Sequence, residues 1–406
     1  MTKIETLLKT LCPNGVTCYK LNELFDQFSG MTGVTNKWAD NGNCHFVDYM
    51  NAYTHISIDV ADLPYATVKN LNQNTVMQGD ILFTSASETP DECAVSSVIE
   101  VEIQEGIFLD DHLFGLRIKS EYKSKINPSF LKYAFRARTF RFQMKKAVRG
   151  VTRFYVSKPD FMKLTIPVPP LAAQGEIVRI LDNFTELTAE LTAELTARKK
   201  QYVFYRNHLL SFDDDVPRVE LREIGPVCMC KRIIKEQTNR VEGIPFYKIG
   251  TFGKTADSYI SKELFDEYRK KYNYPRKGSV LISAAGTIGR IVAFDGKPAY
   301  FQDSNIVWIQ NDETKALNAY LAYCYTLQPW NISQGGTLPR LYNDDILKAK
   351  IPLPSLSEQE RIVKILDRFD TLCNDISMGL PAEIAARQRQ YEHYRDELLN
   401  FEKVAL

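Results

Sequence analysis

The chain has 406 residues, a formal net charge of +1, 44% hydrophobic and 25% charged residues, the composition of a globular protein with room for two or three cores rather than of a disordered or fibrous chain. No run approaches the ~18 apolar residues of a membrane helix, and Met1 to Gly15 lacks the apolar stretch of a secretion signal, so a cytoplasmic location is expected. The eight cysteines are scattered without a Cys-x-x-Cys pair, which predicts reduced thiols and no metal site, Cys44-His45 having no second cluster to complete one.

In chain order, Gln78-Gly79-Asp80 is a turn that opens a short apolar, β-prone run to Ser85. Asn127-Pro128-Ser129-Phe130 looks like the motif with which adenine methyltransferases hold an extruded base. Asn as N-cap with Pro at the first helical position is equally a helix start, and no strand followed by a Gly-x-Gly loop accompanies it. The stretch from Arg117 to Lys163 holds fourteen basic residues against Glu121 and Asp160, a local charge of +12, while Asp80 to Asp111 is acidic. Neutrality of the whole therefore does not argue against a polyanionic partner. Within that stretch Phe135, Phe140 and Met144 stand at helical spacing among cations, an amphipathic helix whose charged face is either solvated or in contact with phosphate.

A Pro-rich block, Ile166 to Asp182, leads into apolar positions on a 4,3 alternation from Ile177 to Phe212, a heptad seam that predicts a long helix packed on another. Continuous from Ala172 to Phe212, that helix would span roughly 60 Å, or about 18 base pairs. Inside it Thr188-Ala189-Glu190-Leu191 is repeated as Thr192-Ala193-Glu194-Leu195. Adding or removing such a unit changes the length by ~6 Å and rotates the rest of the helix by about 40°.

The chain then repeats itself. Val16 to Leu24 matches Val216 to Ile224, Phe46 falls opposite Phe246, Gln78 to Ser85 answers Lys277 to Ala284, and Gln302, Asp303 and Asn305 lie opposite Leu109, Asp110 and His112. Ser129 to Tyr133 answers Ala319 to Tyr323, Gly150-Val151-Thr152 answers Gly335-Gly336-Thr337, and Ile166 to Asp182 returns as Ile351 to Asp367. Gln201-Tyr202-Val203-Phe204-Tyr205-Arg206 returns as Gln390-Tyr391-Glu392-His393-Tyr394-Arg395, four residues later than the upstream spacing demands. Gly379-Leu380-Pro381 should end or kink the second helix. Gly175 stands where Glu360 stands, and Ser29 to Asn74 barely corresponds to Ile233 to Tyr274. The pattern predicts an α+β fold of two tandem pseudo-symmetric domains separated by long antiparallel coiled-coil helices. The expected partition is 1–165, 166–213 (first arm), 214–350 and 351–406 (second arm). Two copies of one scaffold with different surfaces would read two different things.

The doubled Ile-Pro-x-Pro-x-Leu-x-x-Gln-x-x-Ile-Val-x-Ile-Leu-Asp block, the Gln-Tyr-x-x-Tyr-Arg helix ends, Gly286-Thr287-Ile288-Gly289-Arg290 and Gly335 to Arg340 resemble the specificity subunits of type I restriction-modification systems. The Thr-Ala-Glu-Leu units resemble those of the IC-type subgroup. The resemblance covers nearly the whole chain. It implies that each variable domain recognises half of a split double-stranded DNA target and that repeat number in the first arm sets the spacer. It also implies docking of two modification (adenine-methylating) subunits, here assigned to Gln174, Tyr202, Tyr205, Gln359, Tyr391 and Tyr394, and addition of two restriction (motor and nuclease) subunits. The chain itself would be non-catalytic, with S-adenosylmethionine, ATP and Mg on the partners, in a bacterial or archaeal cytoplasm beside the nucleoid.

Candidate DNA contacts follow from the residue types. In the first half they are Arg138, Arg141, Lys145, Lys146, Arg149, Thr152 and Arg153, cations and a hydroxyl suited to phosphate. In the second half they are Arg276 and Lys277, the loop Gly286, Thr287 and Arg290, then Thr337 and Arg340, with Gln302 and Asn305 able to bind adenine in a bidentate way. Gly286 to Arg290 reads equally as a hairpin turn, and Gln302 and Asn305 equally as turn or core groups. A scaffold bridging two copies of a protein partner, with incidental DNA contact, is the competing reading. No Ser/His/Asp, paired-carboxylate or metal constellation recurs in both halves to support an enzyme.

Overall fold

The computed structural model describes residues 3–103, 106–332, 340–402 and 404. It divides into two compact units, Met1–Leu191 with Ile384–Leu406, and Thr192–Glu383. The division falls at the junction between the two Thr-Ala-Glu-Leu copies. No helix among the described residues is long and apolar enough to cross a membrane.

Each unit is built on the same frame. In the first, Cys18–Lys20 pairs antiparallel with Thr165–Pro167, and a four-stranded sheet runs in the order Phe25–Ser29, Leu113–Ile118, Ile81–Thr84, Ser96–Val98. In the second, Arg218–Glu220 pairs with Lys350–Pro352, and the sheet runs Val227–Cys228, Ile306–Ile309, Val280–Ser283, Ile291–Ala293. The central strands are largely apolar because both faces are covered. Alternate residues enter different cores, as the pleat requires. Ile81 and Phe83 join the core that holds the arm residues Ile177 and Leu181, while Leu82 joins a separate one with Val47 and Leu109. In the second unit Val280 and Ile282 go with Ile362 and Leu366, and Leu281 with Phe246 and Trp308.

A short parallel pair recurs too: Cys44–Val47 beside Phe108–Leu109 and Ile244–Tyr247 beside Tyr300–Phe301, with Phe46 opposite Phe108 and Phe246 opposite Tyr300. The matched Phe46 and Phe246 are therefore structural equivalents. One detail of the sequence alignment shifts. The amide of Asp110 bonds Val47 O and that of Gln302 bonds Tyr247 O, so Gln302 is the counterpart of Asp110 rather than of Leu109. His112 and Asn305 remain equivalent, their carbonyls accepting from Ser85 and Ala284. Ser304, at φ +54°, is the extra residue.

The first arm is one 39-residue helix, Leu171–Leu209. The second is broken into Leu356–Asn374 and Leu380–Leu398. The break carries the four extra residues, and a Cβ on Gly379 would lie 2.3 Å from Thr371 O, so the turn needs glycine. Within the second unit Tyr202 lies beside Asp370 and Cys373, Tyr205 stacks on Phe369 at 5.4 Å, and Leu210 packs with Ile362 and Leu366. One helix climbs as the other descends, an antiparallel pair. Within the first unit Phe184 meets Tyr394 at 5.2 Å, and Leu398 and Leu399 enter the core with Ile177 and Leu181.

The doubled block joins domain to arm by the same bonds in both units. Gln174 accepts from the Asn127 amide at 2.7 Å and donates to Lys125 O and Pro169 O. Gln359 accepts from the Leu317 amide at 2.8 Å and donates to Lys315 O and Pro354 O. Further along, Tyr133 donates to Asp182 and Tyr323 to Asp367. Gln174 and Gln359, expected at a docking surface, are instead 0% exposed, with both side-chain amide hydrogens and the acceptor occupied inside their own unit. Glycine at 175 has no such reason, since a Cβ there would meet nothing within 4 Å.

Candidate nucleic-acid interface

Much of the basic tract turns inward. Arg117 pairs with Asp80 at 2.6 Å, and the buried Lys132 bridges Glu100 and Asp182 at 3.1 and 2.7 Å. Burial alone would raise the Glu100 carboxyl, but hydrogen bonds from Ser129 and Ser57 and the Lys132 ammonium hold it below its ordinary value. Arg136 donates to Ser96 O and His55 O. Of the candidate contacts, Arg141 donates to the carbonyls of Asp91, Cys93 and Ala94 at 2.6–2.8 Å. Those bonds use its guanidinium to cap a loop. Arg149 is tied to Asp160 at 2.7 Å and to two neighbouring carbonyls. Lys145 stands 3.8 Å from Asp91, both exposed. Arg138, Lys146 and Arg153 are exposed.

Strand ends decide which candidates meet. In the first unit the carboxyl end of Ile81–Thr84 gathers Ser85, His112 and the hairpin Val148–Gly150/Phe154–Val156, through Ser85 N to His112 O and Val156 N to Ser85 O. Thr152 and Arg153 form the exposed tip of that hairpin. In the second unit the same end of Val280–Ser283 gathers Gly286, Thr287, Asn305 and Arg340, through Ala284 N to Asn305 O and the bridge between Ala285 and Arg340. Thr337 lies outside the described residues. Arg276 and Lys277 precede the strand, so they sit at its other end, about 13 Å away at 3.3 Å per residue.

The two ends carry different structures. In the second unit Gly286 to Arg290 is a hairpin turn. Gly286 and Gly289 adopt φ +64° and +77°, conformations glycine accepts without strain, and Ser283 Oγ donates to Thr287 O while accepting from the Arg290 amide. Arg290 donates to Phe252 O, Arg340 to Ser304 O, and Gln302 accepts from the Ile249 amide. Gly286, Thr287 and the Asn305 side chain remain presented outward or partly so.

In the first unit the equivalent connection is longer, and with the helix Tyr49–Thr54 it walls a cleft of about 980 Å³. Asp48 caps that helix by accepting from the Met50 and Asn51 amides, and the i, i+4 spacing stacks Tyr49 on Tyr53 at 5.8 Å. Tyr49 donates to Ala86 O. Glu92 accepts from Thr89 Oγ1 at 2.7 Å, Tyr53 OH at 2.9 Å and Ser87 Oγ at 3.2 Å, and these bonds, Thr89's foremost, hold its carboxyl below its ordinary value. Arg153, Thr152, Glu88 and His112 complete the rim. Sequence reading did not find Tyr49, Tyr53 or Glu92. The available signal was the Tyr-x-x-x-Tyr spacing inside the segment whose sequence barely corresponds to that of the second half.

Behind the rim, Asp110, Asp111 and His112 cluster closely enough for a metal, but the Lys37 ammonium sits among them, 3.1 Å from Asp110 and in contact with Asp111. A lysine already supplies the positive charge there. Cys44 and His45 are engaged with the carbonyls of Ala66 and Leu63, and all eight cysteines are free thiols. Asn127 caps a helix by accepting from Ser129 N at 3.0 Å, with Pro128 next and Phe130 fully buried. That is the helix-start reading of the methyltransferase-like motif.

The candidate docking tyrosines line the arm seams. Tyr391 packs near Tyr133 at 6.4 Å, with Arg395 over its ring. Outside the seams Phe204 is 64% and Val203 45% exposed.

A family model described as "Type I restriction modification DNA specificity domain" matches residues 13–198 and again 213–386. A Haemophilus influenzae protein named as a candidate type I restriction enzyme specificity subunit is 56% identical over 260 residues, 62% of this chain and 68% of that one. The EcoR124I/EcoR124II specificity subunit of Escherichia coli is 35% identical over 275 residues, 62% of this chain and 66% of its own length. A solved chain from work on complex assembly and conformational transition of the type I R-M system shares the fold with a TM-score of 0.65. It is 18% identical and covers 96% of this chain and 98% of the other.

Proposed function

Since the chain belongs to the type I restriction modification DNA specificity domain family, matched twice along its length, we propose that it is the non-catalytic subunit that gives such a complex its DNA sequence specificity. Each unit reads one half of a bipartite target, the arms set the spacer, and two modification subunits dock on the arms. S-adenosylmethionine belongs to those subunits, with ATP and Mg on the restriction subunits that join them. Adenine methylation and ATP-dependent cleavage are activities of the assembly.

The observation that carries this reading is duplication with divergence. Both units fix domain to arm through the same buried glutamine and the same Tyr–Asp pair, while the same strand end holds a deep cleft in one and a tight hairpin in the other. Identical joints and different heads suit an asymmetric split target held by a symmetric assembly. The test presents the chain, assembled with its methylating partner, to a pool of random duplexes. Enrichment should yield two short motifs at a fixed spacing; one contiguous motif, or none, overturns the reading.

A further inference from the structure

The cleft of the first unit is poor in free cations for a surface that is to face DNA. Arg153 stands on its rim, but Glu88 and Glu92 also line it, and Arg141 and Arg149, the nearby cations of the basic tract, are committed to carbonyls and to Asp160. A carboxylate is repelled by phosphate, so its place against a duplex is compatible with binding only where it meets a hydrogen-bond donor on a base edge. In the major groove those donors are the exocyclic amino groups, N6 of adenine and N4 of cytosine.

Glu92 is the better placed of the two carboxylates. Three hydroxyls donate to it, Tyr53 from its helix and Ser87 and Thr89 from the connection that carries Glu92 itself. A carboxylate has room for about four such bonds, so one acceptor position remains. The donors fix where it points, as a reading group requires of its supporting residues. Tyr53 is itself held against Tyr49, whose hydroxyl is bonded to Ala86 O. The corresponding connection in the second unit is the short Gly286–Gly289 turn, which carries no carboxylate.

Resting on the DNA-specificity reading above, we propose that Glu92 is a specificity-determining residue of the first unit, accepting a hydrogen bond from the exocyclic amino group of one adenine or cytosine in the half-site that this unit reads. At the corresponding connection, Gly286 to Gly289, the second unit carries no carboxylate, so the two half-sites are recognised by different chemistry there.

The experiment uses the full chain assembled with its modification subunits. The wild type first defines the target by enrichment from random duplexes; failure at that stage overturns the DNA-specificity reading and not this assignment. Each adenine of the target is then replaced by purine and each cytosine by pyrimidin-2-one, which deletes the amino group alone. One replacement in the first half-site should weaken wild-type binding roughly tenfold to a hundredfold, and whether it is a purine or a pyrimidin-2-one identifies the base. The same replacement should cost the Glu92→Ala assembly less than threefold. Glu92→Gln, whose remaining oxygen can still accept from Thr89 and Ser87 while its amide faces the Tyr53 oxygen, should relax the preference at that position only, while Tyr53→Phe, which removes a supporting donor, should keep the preferred base. Equal sensitivity of wild type and Glu92→Ala at every position overturns the proposal. So does a wild type insensitive to every amino deletion in the first half-site, a result that needs no variant to fold.

Discussion

Single side chains show where charge and polarity in this sequence are spent. Gln174 and Gln359 sit in a repeated motif, which first suggests a shared partner; the structure gives them a shared internal task, closing three backbone groups apiece at the domain–arm joint. Gln359→Leu should destabilise the second unit by about 1–3 kcal/mol, the cost of leaving buried backbone groups unpaired, measurable by urea denaturation. Gln174→Leu should do the same to the first. Glu100, paired with Lys132, gives a pH prediction. The folded Glu100 carboxyl lies below its ordinary value, so the unfolded chain takes up the proton first as pH falls. Its contribution is full above about 4.3 and lost as pH drops through the lowered folded value. Lys132→Met should make the first unit less stable at neutral pH and should flatten that acid-side loss, read from melting temperatures between pH 3 and 7.

At the level of elements, the basic tract is the instructive case. Its helical periodicity was legible, and Phe140 and Met144 are buried as the spacing predicts. What spacing could not show is that Arg141 reaches back to a loop forty-seven to fifty residues earlier, because a long guanidinium can serve phosphate or carbonyl equally. The exposed cations at the hairpin and helix end are the ones left for DNA. Reversing Lys146 and Arg153 together to Glu should weaken duplex binding and shallow its salt dependence by about two in the log–log slope if each neutralises one phosphate. Binding titrations at several salt concentrations decide it, and an unchanged slope removes these residues from the interface. Arg141→Glu would say nothing about DNA, since it breaks the loop cap first. The Gly286 turn was legible as a hairpin from its glycines, and the Tyr49–Tyr53 cleft was not, because the helix and the longer connection that wall it come from stretches whose sequences barely correspond between the halves.

For the whole molecule, the Thr-Ala-Glu-Leu pair lies at the division between the two units, in the one arm that is an unbroken helix. Inserting a third unit lengthens that helix by ~6 Å, close to two base-pair steps. The enriched target should then keep both half-site motifs and gain one or two base pairs of spacer; altered motifs with an unchanged spacer would exclude the arm as the ruler. Sequence alone determined the duplicated α+β frame, the heptad arms, their break at Gly379 and the family, since repeats, periodicity and backbone breakers are written locally. Only the tertiary structure decided that the repeated glutamines face inward, that Gln302 matches Asp110, and that the first unit's head is a carboxylate-bearing cleft. Those outcomes depend on which distant backbone groups a side chain meets, and that is set by how the strands pair rather than by any neighbouring residue.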